Sequence, residues 1–177
     1  LMSNSFNCHH IIVEDWDELE NEKGVIFVSI PTLLDPSLAP EGKHIIHAFT
    51  PSSIDEWEGL SRKEYINKKE VYFSFLVEKI SKLLPDLDQN IDHKEIGTPK
   101  THRKFLGRYD GTYGPIPNQK LFGLLPMPFN TTKIKNLYCV GDSCFPGQGL
   151  NAVAFSGFAC AHKIGSKLNL NSFKLPE

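Results

Sequence analysis

Residues 136–168, NLYCVGDSCFPGQGLNAVAFSGFACAHKIGSKL, constrain the fold more than any other stretch, because an apolar run, a glycine-rich turn and a helix of small residues follow one another without a break. Leu137 to Val140 is too short for a helix and is stopped by Gly141, which predicts a buried strand ending inside a sheet. Asp142 then falls just beyond the strand's carboxyl end, where ligands of α/β sheets sit. Pro146, Gly147 and Gly149 let the backbone turn sharply and approach a ligand closely. From Leu150 the pattern is helical and apolar on nearly every side. Its small residues Ala152, Ala154, Ser156, Gly157, Ala159 and Ala161 predict a buried helix with tightly packed neighbours. Gly157 inside it costs about 1 kcal/mol relative to Ala, and close packing is the expected compensation.

The first turn of such a helix leaves backbone N–H groups unpaired at a positive dipole end, which favours an anionic or electron-rich ligand. Asp142 beside it is suited to accept hydrogen bonds from sugar-type hydroxyls. Together they describe half of a nucleotide-cofactor site along the stretch that holds Gly141, Asp142, Gly147, Gln148, Gly149 and Leu150. Gly147 to Ala152 also fits the dinucleotide fingerprint G-x-G-x-x-G/A, but six residues separate Val140 from Gly147 and little chain follows the helix for a second strand. The alternative is a tight strand-to-helix connection with no ligand, and residue chemistry alone leaves both open.

Composition narrows the classes. A chain of 177 residues with 40% hydrophobic and 23% charged residues is long enough for a real core and is not disordered in character. A net charge of −2 gives no electrostatic footprint for nucleic acid. No apolar run is long enough to span a bilayer, and LMSNSFNCHH lacks the regions of a signal peptide. Cys8, Cys139, Cys144 and Cys160 form no C-x-x-C pair, and two lie in runs read as buried, so reduced thiols are expected.

In chain order, Cys8 to Val13, Val25 to Ile30 and His44 to Phe49 read as strands, the last two as antiparallel neighbours. Ser61 and Glu64 form a capping box, with Leu60 and Tyr65 as a hydrophobic staple, opening a helix that runs to about Leu84 before Pro85. Its apolar residues recur at helical spacing, so it should cover the sheet. His93 to Ile96 reads as a short strand, and Gly97 to Pro128 as a Gly- and Pro-rich binding loop or connection.

Three other constellations carry chemistry. His9, His10, His44 and His47 are metal-ligand types, but neighbours on a strand and residues three apart point to opposite faces, so no metal site is expected. Gly141-Asp142-Ser143 matches the GDS nucleophile motif of SGNH-type hydrolases, with Ser143 as nucleophile and His162 as base; that family places GDS early, whereas here it is late and no Asp follows. His102, Arg103, Lys104 and Arg108 read as a solvated basic turn, able to meet cofactor phosphates or anionic lipid headgroups.

RYDGTYGPIPNQKLFGLLPMPFNTTKIKNLYCVGDSCFPGQGLNAVAFSGFACAHKI, with FVSIPTLLDPSLAPEGKHIIHAFTPSSIDEWEGLSRKEYINKKE and KEIGTPKTHRKFLGR upstream, resembles the C-terminal part of the carotenoid (prolycopene) isomerases. These form a branch of the flavoprotein superfamily that includes phytoene desaturases and retinol saturase. GTYGPIP, MPFNTT and GDSCFPGQG are the specific motifs. The resemblance implies an α/β fold with α+β character in this part: an antiparallel substrate-side lobe with a covering helix over 1–136, and the last strand and helix of an FAD lobe over 137–177. It also implies that the N-terminal FAD-binding βαβ unit with its G-x-G-x-x-G motif belongs to the same, longer polypeptide and is missing here, so that this chain alone should bind FAD poorly.

The implied activity is cis-to-trans isomerisation of a poly-cis carotenoid, prolycopene to all-trans-lycopene, with FAD in its reduced form. Desaturation or saturation of carotenoids or retinoids is the related alternative, and an inactive fragment or binding module is the non-enzymatic one. By motif position Asp142 would meet the FAD ribityl chain, and the backbone of Gln148, Gly149 and Leu150 the pyrophosphate–ribityl region or the ring edge. Met127, Phe129, Phe145 and Phe155 are candidates for a polyene channel or for plain core. No catalytic residue is assigned. The implied setting is cytoplasm or plastid, with peripheral contact to a photosynthetic membrane.

Overall fold

The computed structural model describes residues 6–19, 21–112 and 127–170. The chain divides into two compact units, Leu1–Gly111 and Thr112–Glu177.

In the first unit β1 (His9–Val13), β2 (Val25–Ser29) and β3 (His47–Phe49) form an antiparallel sheet in the order β1-β2-β3. The expected pairing of the second and third strands is present, with Phe27 opposite Phe49 and their rings stacked at 4.8 Å. β3 is shorter than expected because Thr32, itself buried, takes over the role of a ladder partner. Its Oγ1 accepts from the Ile45 amide at 3.2 Å and lies 3.0 Å from His44 Nδ1.

Helix α1 (Arg62–Ser81) begins as its sequence dictates. Ser61 Oγ accepts from the Glu64 amide at 3.3 Å, and Glu64 Oε2 accepts from the Ser61 amide at 2.8 Å, closing the capping box. Past its end, the amides of Leu83 and Leu84 both return to the Ile80 carbonyl. Ile26, Val28 and Ile30 meet Ile80 in one buried cluster, with Phe75, Leu76, Leu84 and Leu87 packed around it, so α1 covers one face of the sheet. Trp57, 2% exposed, wedges against Tyr65 and Tyr72 at ring distances of 5.5 and 5.3 Å and donates Nε1 to Ser52 Oγ at 2.8 Å.

Two expectations fail here. His93 to Ile96 is not a strand, and part of the stretch read as loop is a helix, α2 (Pro99–Leu106). Thr98 caps α2, Pro99 fits its first turn, and Gly107 closes it in the left-handed conformation. These signals were visible in GTPKTHRKFLG, but the density of Gly and Pro masked them. Most of GTYGPIP and GLLPMP lies outside the described residues.

In the second unit residues 127–149 are an irregular segment leading into α3 (Leu150–Lys167). Met127 to Asn136, grouped by sequence with the substrate-side lobe, share this unit with α3.

A candidate cofactor-facing corner

The segment before α3 corrects the expected strand. Leu137 to Val140 makes only an isolated bridge, Thr131 to Tyr138, and Leu137 and Val140 are 50% and 53% exposed. A strand needs a neighbour to supply its ladder. Here Asn130 supplies it from one position: its carbonyl accepts from the Cys139 amide at 2.9 Å, and its Nδ2 donates to the Cys139 carbonyl at 3.0 Å.

The same Asn130 Nδ2 lies 3.0 Å from Ser156 Oγ, which also accepts from the Gly141 amide at 3.3 Å. Ser156, fully buried in the middle of α3, thus fixes the turn against the helix. Sequence reading classed Ser156 as merely small; its polar role shows only once Asn130 and Gly141 are brought to it.

Helix α3 is not buried all round. Ser156, Cys160 and Gly165 are buried, whereas Leu150, Phe155 and Phe158 are 83%, 54% and 48% exposed. Ser156, Cys160 and Gly165 face inward, whereas the aromatic residues, and Ala154 with them, face outward. Nor does close packing account for Gly157, since a Cβ built there would meet nothing within 4 Å.

The expected site residues Gly141, Asp142, Gly147, Gln148, Gly149 and Leu150 lie along the segment that leads into α3, with Gly141 held against Ser156 in mid-helix and Gly149 as the N-cap. Gly147 takes φ 117°, a conformation that strains any side chain, and the tip of Met127, with Cε 3.1 Å from where a Cβ would be, would have to give way slightly. Gly149 is the N-cap, at φ 100°, and contributes no side-chain cap. The first intrahelical bond runs from the Val153 amide to the Gly149 carbonyl at 3.0 Å, so the amides of the first turn point outward from the helix end. A Cβ at Gly141 or Gly149 would meet nothing within 4 Å, and Gln148 to Leu150 are exposed. The turn therefore fits the anionic and polar edge of the flavin that the resemblance implies: open backbone, an uncapped helix start and the half-buried carboxylate of Asp142.

Burial pushes the Cys144 thiol up to about 11, and its hydrogen bond with Cys139, together with the charges of Cys139, Cys160 and Asp142, adds to the shift. Cys144 is thus a protonated packing residue of the corner. Phe129 and Phe145 stand 5.5 Å apart, with Phe129 60% exposed.

The other constellations are not assembled by the fold. Ser143 Oγ lies 3.4 Å from Asp142 Oδ1, while His162, expected in a packed helix, is exposed on α3 with its ring 6.1 Å from Phe158. Among the described residues no group of three or more His, Cys, Asp or Glu side chains is placed to hold a metal ion. Arg103 of the basic cluster is paired, 2.5 Å from Glu58 Oε1. No helix among the described residues is long and apolar enough to cross a membrane.

An antiparallel sheet under a helix, joined in sequence to a glycine turn ahead of a second long helix, makes this a portion of a protein of mixed α and β architecture. The particular relationship is to the plant prolycopene isomerases, to which the chain is homologous over nearly all of its length. It is 60% identical to the chloroplastic prolycopene isomerase 1 of an Oncidium hybrid cultivar over 166 residues, 93% of this chain and 28% of that protein. It is 57% identical to the chloroplastic prolycopene isomerase of Arabidopsis thaliana over 166 residues, again 93% and 28%. A more distant relative is the 4,4'-diapolycopen-4-al dehydrogenase of Metabacillus indicus, 27% identical over 86% of this chain and 30% of that protein. No family model matches the chain. The chain thus spans little more than a quarter of the length of these plant relatives.

Proposed function

We propose that this chain forms the closing corner of a flavin-dependent enzyme that converts cis double bonds of a poly-cis carotenoid to trans, prolycopene to all-trans-lycopene, in plastids. The observation that carries the reading is the uncapped amino end of α3 behind Gly149, in a chain 60% identical to a prolycopene isomerase. FAD, in its reduced form, would supply transient electron or hydride exchange with the polyene, lowering double-bond order so that rotation is possible without net oxidation.

The chain's own residues bind and orient. The first-turn amides of α3 would hold the cofactor's anionic groups, and Asp142 would accept hydrogen bonds from its hydroxyls. In the first unit, the sheet face turned away from α1 carries an apolar trough of about 620 Å³ lined by Ile11, Val13, Trp16, Leu19, Val25 and Phe27. Such a surface holds a hydrocarbon chain by excluding water and makes no directional contact that would oppose rotation.

The test places the chain in its natural context. The matching segment of the Arabidopsis enzyme is replaced by this one, and the chimera is expressed in cells that accumulate prolycopene. All-trans-lycopene should appear, and Asp142→Ala should cut both flavin content and conversion by about tenfold while circular dichroism stays unchanged. A chimera that folds and holds flavin yet produces only more desaturated carotenoids would replace isomerisation with desaturation.

A further inference from the structure

Resting on the reading of the sheet trough as a polyene site, we infer that His9, Ser29 and His47 form its polar end, and that the trough takes conjugated polyenes with a terminal hydroxyl in preference to bare hydrocarbons. The strand register makes this constellation. Ser29 of β2 stands opposite His9 of β1 on one side and His47 of β3 on the other. Residues directly opposite in an antiparallel ladder share a face, so the three side chains form one row across the sheet, with roughly 10 Å between the outer Cα atoms. Ile11, Phe27 and Phe49 form the next row on the same face, about 7 Å along the strands, and Val13 with Val25 the row after it. Spacing within single strands hides this set, because it pairs His9 with His10 and His44 with His47, which point to opposite faces.

The trough therefore has two unlike ends. Trp16 and Leu19, in the turn after β1, stand at the Val13 and Val25 end, and the stacked rings of Phe27 and Phe49 floor the middle. The histidine row closes the list at the other end. His10 is engaged with the Asn7 carbonyl at 2.8 Å, and His44 lies 3.0 Å from Thr32 Oγ1. Among the described residues His9 and His47, both exposed, carry no hydrogen bond or ion pair. A neutral imidazole offers one donor and one acceptor nitrogen, and a serine hydroxyl offers both, so the row can serve a ligand hydroxyl in either direction.

Chemical complementarity selects the occupant. An apolar groove with its polar groups confined to one end matches a molecule built the same way, and those few groups fix its orientation. The hydroxyl would lie between the two imidazoles over Ser29, and the hydrocarbon would run over Phe27 and Phe49 towards Trp16. A bare hydrocarbon fills the same rows but leaves the histidines to water, so it gains burial without the hydrogen bond. A peptide would need partners for backbone N–H and C=O groups along its whole length, which the rows of Ile11, Phe27, Phe49, Val13 and Val25 do not supply.

β-Carotene and zeaxanthin share one skeleton and differ by a hydroxyl on each end ring, so the pair isolates the polar end. Each is titrated from dilute neutral detergent into the full 177-residue chain. Binding is read as quenching of tryptophan emission by the polyene and as polyene absorbance that co-elutes with the chain. Both should bind, zeaxanthin about fivefold more tightly, the gain of one net hydrogen bond. His9→Leu with His47→Leu should remove that preference and keep β-carotene binding, and His9→Gln with His47→Gln should restore part of it. Phe49→Ser should weaken both ligands together. All three positions are exposed, and circular dichroism checks the fold. Equal affinities in the unaltered chain, or a preference that the double-leucine variant retains, would overturn the polar end and leave the polyene trough standing. Binding of neither would overturn both, and a dimer split by Phe49→Asp would then assign the face to a second copy.

Discussion

Glu56 shows how one carboxylate can organise a neighbourhood. Its Oε2 accepts from Lys68 Nζ at 3.1 Å and from the Tyr72 hydroxyl at 3.0 Å, and its Oε1 lies 3.5 Å from the Ser53 amide. Burial alone would raise its pKa, but hydrogen bonds from Glu22 and Lys68 outweigh that and hold it below the usual carboxylate range. Glu22 moves the other way, raised by burial and then by its hydrogen bond and repulsion with Glu56. The two have opposite pH signatures. Glu56, depressed, contributes stability above its unfolded pKa that is lost as pH falls through its folded value. Glu22, raised, contributes stability below its unfolded pKa that is lost as pH rises through its folded value. Glu22→Gln keeps the donor to Glu56 and removes the charge. It should therefore raise Tm at neutral pH and leave it unchanged once both carboxyls are protonated. Glu22 is exposed, so solvent screening limits the gain to below about 1 kcal/mol, or about 2 °C, readable by calorimetry at the two pH values.

At the scale of elements, legibility follows locality. β1, β2 and the start of α1 were readable because alternation and a capping box are decided by residues a few positions apart. Thr98-Pro99 and Gly107 were equally local, yet α2 was missed because the Gly and Pro around them outweighed the caps. Leu137 to Val140 and the exposed face of α3 were misread for a different reason. An apolar run becomes a strand, and a small-residue helix becomes buried, only if other elements supply the partner surface. The glycine turn could be read in full, whereas Ser156 could not, since its partners Asn130 and Gly141 lie 26 and 15 residues away. Ser156→Ala would leave the Gly141 amide without its acceptor, while Asn130 Nδ2 keeps the Cys139 carbonyl and the Ser156 carbonyl, the latter at 3.3 Å. It should destabilise the second unit by about 1–3 kcal/mol in urea unfolding followed by α3 helicity. A loss within measurement error would mean that the turn is held against α3 by packing alone.

Across the whole molecule, apolar groups stand outward in each unit considered separately. In the first, Ile11, Trp16 and Phe49 are 64%, 77% and 59% exposed; in the second, Leu150, Phe155 and Phe158 line the outside of α3. Scattered exposed hydrophobics need no explanation, but two aromatic side chains and a leucine on one helix, beside an open glycine turn, form a surface suited to a seat. The chain covers 28% of the length of the prolycopene isomerases it resembles, so residues of those relatives that have no counterpart here are available to cover that surface. Phe155 separates a seat from ordinary solvent exposure. Because it is 54% exposed, Phe155→Asp should change the stability of the 177-residue chain by no more than about 0.5 kcal/mol. In the chimera with the Arabidopsis enzyme the same substitution places a charge in a closed contact, and flavin content and isomerisation should fall together by about tenfold or more. Equal tolerance in both settings would mean that the outer face of α3 meets only water, and the cofactor corner would then have to be held by the turn alone.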